Sequence, residues 1–216
     1  MNAVFFDMDG TLIDSRADLA ATVNHTRRDF GLAELSQEDV LRHVGYGARH
    51  LLRNAIPERA SEEDALWENF RGHYSEHMLE SVQLYPTVRT TLLELRDRGW
   101  KLGINTSKPA FATRAVLDHF GLTRLFEGAI VAGGDCDEMK PSAKPLRQCA
   151  ALMRGHRLSS GDWMVGDSAA DLLCARNAGV KGAFCSFGFG NAGDAPYTLK
   201  INRMEELLRH LKSEER

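Results

Sequence analysis

The chain has 216 residues, is 43% hydrophobic, carries a formal net charge of -3 and holds four cysteines. That is enough chain to bury a sizeable core, and the interspersed signs leave no broad basic stripe of the kind that binds nucleic acid or an anionic membrane surface. No apolar run approaches the roughly 20 residues of a membrane span, the start MNAVFFDMDG is too short and too acidic for a signal peptide, and Cys136, Cys149, Cys174 and Cys185 lie far apart without a C-x-x-C pair, so the expectation is a cytoplasmic protein with reduced, structural cysteines.

In chain order, Ala3 to Asp7 reads as a short apolar strand that runs out at Asp7-Met8-Asp9-Gly10. From Ser15 to about Gln83 the pattern is helical and strand signals are absent. Asp14-Ser15 opens a helix that passes Leu19 and Val23 and stops at Gly31. Ser36-x-x-Asp39 and Ser61-x-x-Asp64 each have the form of a capping box at a helix start. Gly45-Tyr46-Gly47 separates two short helices, Pro57 closes the second, and Leu66, Phe70 and Tyr74 mark a longer helix from Ala65 to Met78. After Tyr85-Pro86 helices alternate with short apolar strands, the signature of a parallel sheet covered by helices. Helices are expected over Val88 to Arg98, Pro109 to Phe120, Ala143 to Met153 and Ala169 to Gly179, with strands over Lys101 to Asn105, Gly128 to Ala132, Asp162 to Val165 and Ala183 to Phe187. An edge strand near Thr198 to Ile201 and a final helix with a charged tail complete the chain. The reading is an α/β core of residues 1–14 and 85–216, a parallel sheet flanked by helices, split by an all-helical cap of residues 15–84.

In doubly wound sheets ligands bind beyond the carboxyl ends of the strands, close to the switch point. Four strand ends carry polar groups here: Asp7 and Asp9; Thr106-Ser107-Lys108; Gly133-Gly134 leading to Lys140-Pro141; and Asp167-Ser168 with Asp171 behind. Alternate residues of an extended segment share a face, so Asp7 and Asp9 can address one ligand. Asp7, Asp9, Asp167 and Asp171 together would repel one another without a cation. Magnesium suits them, since it takes carboxylate, water and phosphate oxygens; Asp7 and Asp167 would be direct ligands and the carbonyl of Asp9 a third oxygen. No histidine or cysteine stands at these ends, which disfavours zinc. The Thr106 hydroxyl and the Ser107 backbone N–H suit a phosphate oxygen, and Lys140 supplies balancing charge. The set points to phosphoryl transfer with a carboxylate nucleophile.

The order of these motifs resembles the haloacid dehalogenase superfamily of aspartate-nucleophile phosphotransferases, and within it the phosphoglycolate phosphatase-like branch. DMDGTLIDS is similar to the first family motif, INTSKP to the second, KPSAKPL to the third and GDSAADLLCARNAG to the fourth. The resemblance implies a Rossmann-like core and Asp7 as nucleophile, Asp9 as general acid and base, Thr106 as phosphate ligand, Lys140 as the steadying cation and Asp167 as a Mg2+ ligand. Asp171 would hold a metal-bound water or orient Lys140. Ser107 departs from the asparagine common at its place. VGYGARHLLRNAI resembles a cap turn that faces the active site, which makes Arg49, and Lys108 after the second motif, candidates for substrate contact. A small phosphorylated metabolite is the expected partner of a monomer or homodimer, with 2-phosphoglycolate first. A sugar phosphomutase of the β-phosphoglucomutase type, a sugar-phosphate phosphatase, a pyrophosphatase and a non-catalytic binding protein are the alternatives.

Two further patterns are read as incidental. Gly188-x-Gly190-x-x-Gly193 matches a dinucleotide fingerprint, yet Asp194-Ala195-Pro196 stands where the helix should start, so a loop at the rim of the site is expected. His73 and His77 stand four apart on a helix without an H-E-x-x-H pattern or a third ligand, which reads as an exposed face. Trp67, Trp100 and Trp163 are assigned to cores or the seam between the two parts.

Overall fold

A computed structural model describes residues 2–212; the charged tail expected at the end, residues 213–216, lies outside them. The strand β1 (Ala3–Phe6) is followed by the two-residue strand β2 (Ile13–Asp14) and the helices α1 (Arg16–Asp29), α2 (Gln37–Leu41), α3 (Ala48–Ala55) and α4 (Glu63–His77). Strand β3 (Gln83–Leu84) leads back to α5 (Val88–Asp97), β4 (Lys101–Pro109), α6 (Ala110–His119), β5 (Ile130–Gly133), α7 (Lys144–Leu152), β6 (Trp163–Gly166), α8 (Ala169–Ala178), β7 (Lys181–Cys185), β8 (Leu199–Ile201) and the short α9 (Leu207–His210). Among the described residues no helix is long and apolar enough to cross a membrane.

Six strands form one parallel sheet in the order β5-β4-β1-β6-β7-β8. Renumbered within the sheet this is the 3-2-1-4-5-6 order of doubly wound folds, whose switch point lies beside the central first strand. All four residues of β1 are buried, because a parallel sheet is covered on both faces and its strands read as continuous apolar runs. Val4 and Phe6 pack with Leu92 and Leu95 of α5, Val116 and Leu117 of α6, and Leu207 and Leu211 near the C-terminal end. Ala3 and Phe5 take the other face with Leu146 and Cys149 of α7 and Cys174 and Ala175 of α8. Trp100 and Trp163 lie in the first of these cores.

The helices α1 to α4 enclose a core of their own. Leu19, Val23, Val40, Leu51, Leu52, Leu66, Phe70 and Tyr74 meet in it, Trp67 packs against it, and Ala112 of α6 joins it from the sheet side. Ser36 caps α2 as expected, accepting from Asp39 N at 3.1 Å. The second expected cap does not form: Ser61 lies inside a 3-10 turn over Pro57–Glu62, and α4 starts at Glu63 without a side-chain cap. Pro57 sits in the first turn of that segment, where its fixed φ seeds helical backbone before Ser61 is reached. The segment read as free of strand also ends in one: Gln83 and Leu84 pair antiparallel with Asp14 and Ile13. This ribbon ties together the two ends of the helical insertion, and Asp18 of α1 reinforces it by accepting from Ser81 N at 3.0 Å.

Candidate active site

Asp7 is delivered by β1 itself, whose pairing continues through Asp7 N to Val165 O at 2.9 Å. Its carboxylate is almost fully buried, and Lys140 Nζ stands 2.9 Å from Oδ1. The same ammonium lies 2.5 Å from Asp171 Oδ1. Asp171 is fixed in turn at the start of α8, where its Oδ2 accepts from Ser168 N at 3.0 Å and Ser168 Oγ at 2.6 Å. Asp167, at the end of β6, accepts through Oδ2 from Phe189 N at 3.1 Å and Gly190 N at 2.7 Å. These backbone donors belong to the glycine-rich loop that matched the dinucleotide pattern, and no helix starts within it. Chain passes very close to Asp167: a Cβ on Gly10, whose φ is +77°, would fall 1.8 Å from Oδ2. Only glycine allows the turn after Asp9 at this distance.

One carboxylate oxygen from each of Asp7, Asp167 and Asp171 lies within 4.8 Å of the others. Three buried acids thus face one ammonium. Burial and the charge of Asp171 push the Asp7 carboxyl from 3.8 to about 6, although Lys140 and Thr106 pull it down. Burial, Asp171 and Asp7 together push Asp167 well above the ordinary range. Burial opposes the charge on Lys140, yet Asp171 and Asp7 outweigh it and hold the ammonium above its usual value. Asp7 Oδ1 receives no well-directed hydrogen bond despite that neighbour. An all-oxygen donor set with surplus negative charge fits a hard divalent cation of the magnesium class.

Asp9 faces a second lysine. Its Oδ1 accepts from Ser15 Oγ at 2.6 Å and pairs with Lys108 Nζ at 2.9 Å. Lys108 also donates to Tyr74 Oη of α4 and stands 4.8 Å above that ring. Burial pushes the Tyr74 phenol up to about 12. Burial alone would lower Lys108, but Asp9 and Tyr74 raise it above its ordinary value.

These groups line a cleft of about 570 Å³, counted with its open mouth. The sheet contributes Asp7, Asp9, Thr106, Ser107, Lys108 and Asp167; the insertion contributes Gly45, Gly47, Ala48, Leu51, Phe70 and Tyr74. Gly47 has φ +90° and leaves room for a Cβ only 2.5 Å from Met139 Cε, so the turn of the insertion rests directly on the loop before Lys140. Thr106 Oγ1 accepts from Lys108 N at 3.2 Å, and the buried Ser107 Oγ has no partner.

The structure therefore brings Asp7, Asp9, Thr106, Ser107, Lys108, Lys140, Asp167 and Asp171 together at one end of the sheet. The Asp9 carboxylate is not part of the acid cluster, being turned to Ser15 and Lys108. Arg49 stands apart from the cleft: it pairs with Asp64 at 2.9 Å and Glu63 at 3.3 Å and lies 5.6 Å above Trp67. Ala48 and Leu51 face the cleft, and the roughly 100° step per residue of a helix carries Arg49 away from it. Tyr74 and the N–H groups of Phe189 and Gly190 were not legible as site groups. His73 and His77 also differ from expectation, since His25 of α1 joins them.

A family model described as haloacid dehalogenase-like hydrolase matches residues 4–185. Phosphoglycolate phosphatase of Chromobacterium violaceum is 37% identical over 96% of this chain and 95% of its own length. Phosphoglycolate phosphatase of Aquifex aeolicus is 30% identical over 97% and 96%. The crystal structure of a predicted phosphoglycolate phosphatase from Haemophilus somnus superimposes with a TM-score of 0.91 at 25% identity, covering 98% of each chain.

Proposed function

The chain belongs to the haloacid dehalogenase-like hydrolase family and is a phosphatase, and we propose that it hydrolyses 2-phosphoglycolate through a phosphorylated Asp7, with Mg2+ as cofactor. One observation carries this reading: Asp7, buried and close to Lys140, opens onto the same small cleft as Asp9, Thr106 and Ser107. Relatives 30–37% identical over nearly the whole chain carry the phosphoglycolate phosphatase name, which supports the substrate.

In the first half-reaction an Asp7 oxygen attacks phosphorus, the P–O bond to the glycolate oxygen breaks, and Asp9 gives that oxygen its proton. In the second, Asp9 takes a proton from water, the water oxygen attacks phosphorus and the Asp7–phosphate bond breaks, releasing phosphate. Ser15 and Lys108 both meet Asp9 on Oδ1, so Oδ2 is the oxygen that carries the proton. Thr106 and Ser107 hold phosphate oxygens, and the unpartnered Ser107 hydroxyl is available to donate. Lys140, kept charged by Asp171, balances the charge that builds on the phosphoryl group. Asp7 and Asp167, with Asp171 nearby, would hold Mg2+, which would supply neutralisation of carboxylate and phosphate charge. The insertion of residues 15–84 acts as a lid that excludes water and selects the leaving group.

The test is phosphate release from a panel of metabolite esters with and without Mg2+. The expected outcome is Mg2+-dependent release with kcat/KM on 2-phosphoglycolate at least about tenfold above hexose phosphates and pyrophosphate, a difference of about 1.4 kcal/mol. Equal rates on all esters, or isomerisation of a hexose phosphate without phosphate release, would contradict the reading.

A further inference from the structure

His25 projects from α1, and His73 and His77 from successive turns of α4. One ring nitrogen from each lies within 4.8 Å of the others, and all three residues are half-buried. The rings of His73 and His77 both meet His25 edge-on, with centroids 5.1 and 5.2 Å apart. Carboxylates meet two of the rings: His73 Nε2 is 2.8 Å from Asp29 Oδ2 and His77 Nδ1 is 2.7 Å from Glu80 Oε1. Each of these contacts takes one nitrogen of its ring. Carboxylates behind imidazoles are the arrangement that fixes tautomer and raises basicity in metal-ligating histidines. A further carboxylate, Glu76 Oε2, stands 3.8 Å from His77 Nε2. Arg28, the neighbouring cation on α1, is turned to Glu34 at 3.1 Å.

We propose that His25, His73 and His77 form a binding site for a divalent transition-metal ion of the Zn2+ class, separate from the acid cluster in the cleft. Zn–N bonds of about 2.0–2.1 Å in a tetrahedron put ligand nitrogens about 3.3 Å apart, so from separations within 4.8 Å the rings must close by about 1.5 Å at most. Half-exposed side chains reach that by small χ rotations. Glu76 or a water completes four ligands. Three imidazoles favour zinc, copper or nickel and offer nothing to a hard ion such as Mg2+. The site clasps α1, which follows the ribbon strand β2, to the end of α4, which leads back to β3. Its occupation stiffens the helical insertion and leaves the chemistry at Asp7 untouched.

The experiment is a Co2+ titration of EDTA-stripped protein in excess Mg2+, which keeps the acid cluster occupied, followed by Zn2+ competition. One equivalent of Co2+ should develop the intense visible bands of a four-coordinate, imidazole-bound ion, and Zn2+ should abolish them. His25→Gln, His73→Gln and His77→Gln should each weaken binding by about tenfold or more, while His50→Gln should not. Mg2+-dependent turnover of the metal-stripped variants, expected unchanged, shows that they fold. For any variant that fails to fold, imidazole NMR of the wild type replaces it: Zn2+ should shift the ring signals of these three histidines and no others. Absence of saturable one-to-one binding, or equal affinity in all variants, or Zn2+ shifts confined to other histidines, would overturn the proposal.

Discussion

Lys140 and Lys108 are both buried to 1% side-chain exposure, both sit beside an aspartate of the first motif, and both are held above their ordinary pKa. They are held by different parts of the molecule. Lys140 lies between Asp7 and Asp171, which both belong to the sheet end, so both of its charge partners come from the α/β core. Lys108 lies between Asp9 of the sheet end and Tyr74 of the helical insertion. One ammonium is therefore a fixed part of the core, and the other is complete only while the insertion rests on the site. The first suits a charge that must be present throughout the proposed phosphoryl transfer; the second would couple Asp9, the proposed proton carrier, to the seating of the insertion.

That contrast can be broken at several points. Of the changes around the two lysines the largest effect is expected for Asp9→Ala, which removes the proposed proton carrier and the partner of Lys108: kcat should fall by roughly 10²–10⁴-fold, as for general acid–base groups elsewhere, and an unchanged kcat would remove Asp9 from the mechanism. Lys140→Met should cost stability, because removing one member of a buried pair strands the other; about 3–5 kcal/mol is expected in denaturant unfolding. The loss should shrink as the solution is acidified, since Asp7, already pushed up by burial and by Asp171 and now without the lysine that pulls it down, takes up a proton instead. The sign in metal-free wild type is the same. Asp7 binds its proton more tightly folded than unfolded, so its favourable contribution is full below 3.8 and lost as pH rises through about 6. Added Mg2+ should accordingly raise Tm more above that range than below it.

Smaller effects sharpen the comparison. Tyr74→Phe leaves Lys140 untouched and deletes the insertion's hydrogen bond to Lys108; kcat/KM should fall about tenfold, with a modest fall in Tm because the buried ammonium loses an acceptor. A loss confined to Tm would make Tyr74 a packing residue only. Arg49→Ala should change kcat/KM by less than about twofold, as expected for exposed ion pairs, and a selective loss on 2-phosphoglycolate would return Arg49 to the site.

Most of the core was legible because each strand–helix unit carries its own signals. Apolar runs such as Ala3 to Phe6 and glycine stops at Gly31 and Gly179 are local, and the acids follow directly on the strands. What escaped depends on partners distant in sequence. The ribbon of Ile13–Asp14 with Gln83–Leu84 has two residues a side, too few for a period to register. Tyr74 stands at core spacing with Leu66 and Phe70, and only its hydroxyl reaches the site. Phe189 and Gly190 act through backbone N–H groups, which no side-chain pattern reveals. His25 lies on another helix from His73 and His77, so spacing along α4 alone could not find it. Arg49 differs for the opposite reason: it adjoins the Gly47 turn in sequence, but one helical step turns it from the cleft toward Asp64 and Glu63.

The central claim is that Asp7 carries the phosphoryl group. Mixing the enzyme with 2-[32P]phosphoglycolate and Mg2+, quenching in acid within the first turnover and mapping the label by peptide mass spectrometry tests it directly. A hydroxylamine-sensitive phosphate is expected on Asp7 in the wild type and none in Asp7→Asn, which should keep its fold and lose turnover. Full phosphate release without any labelled protein, or label on another residue, would contradict it.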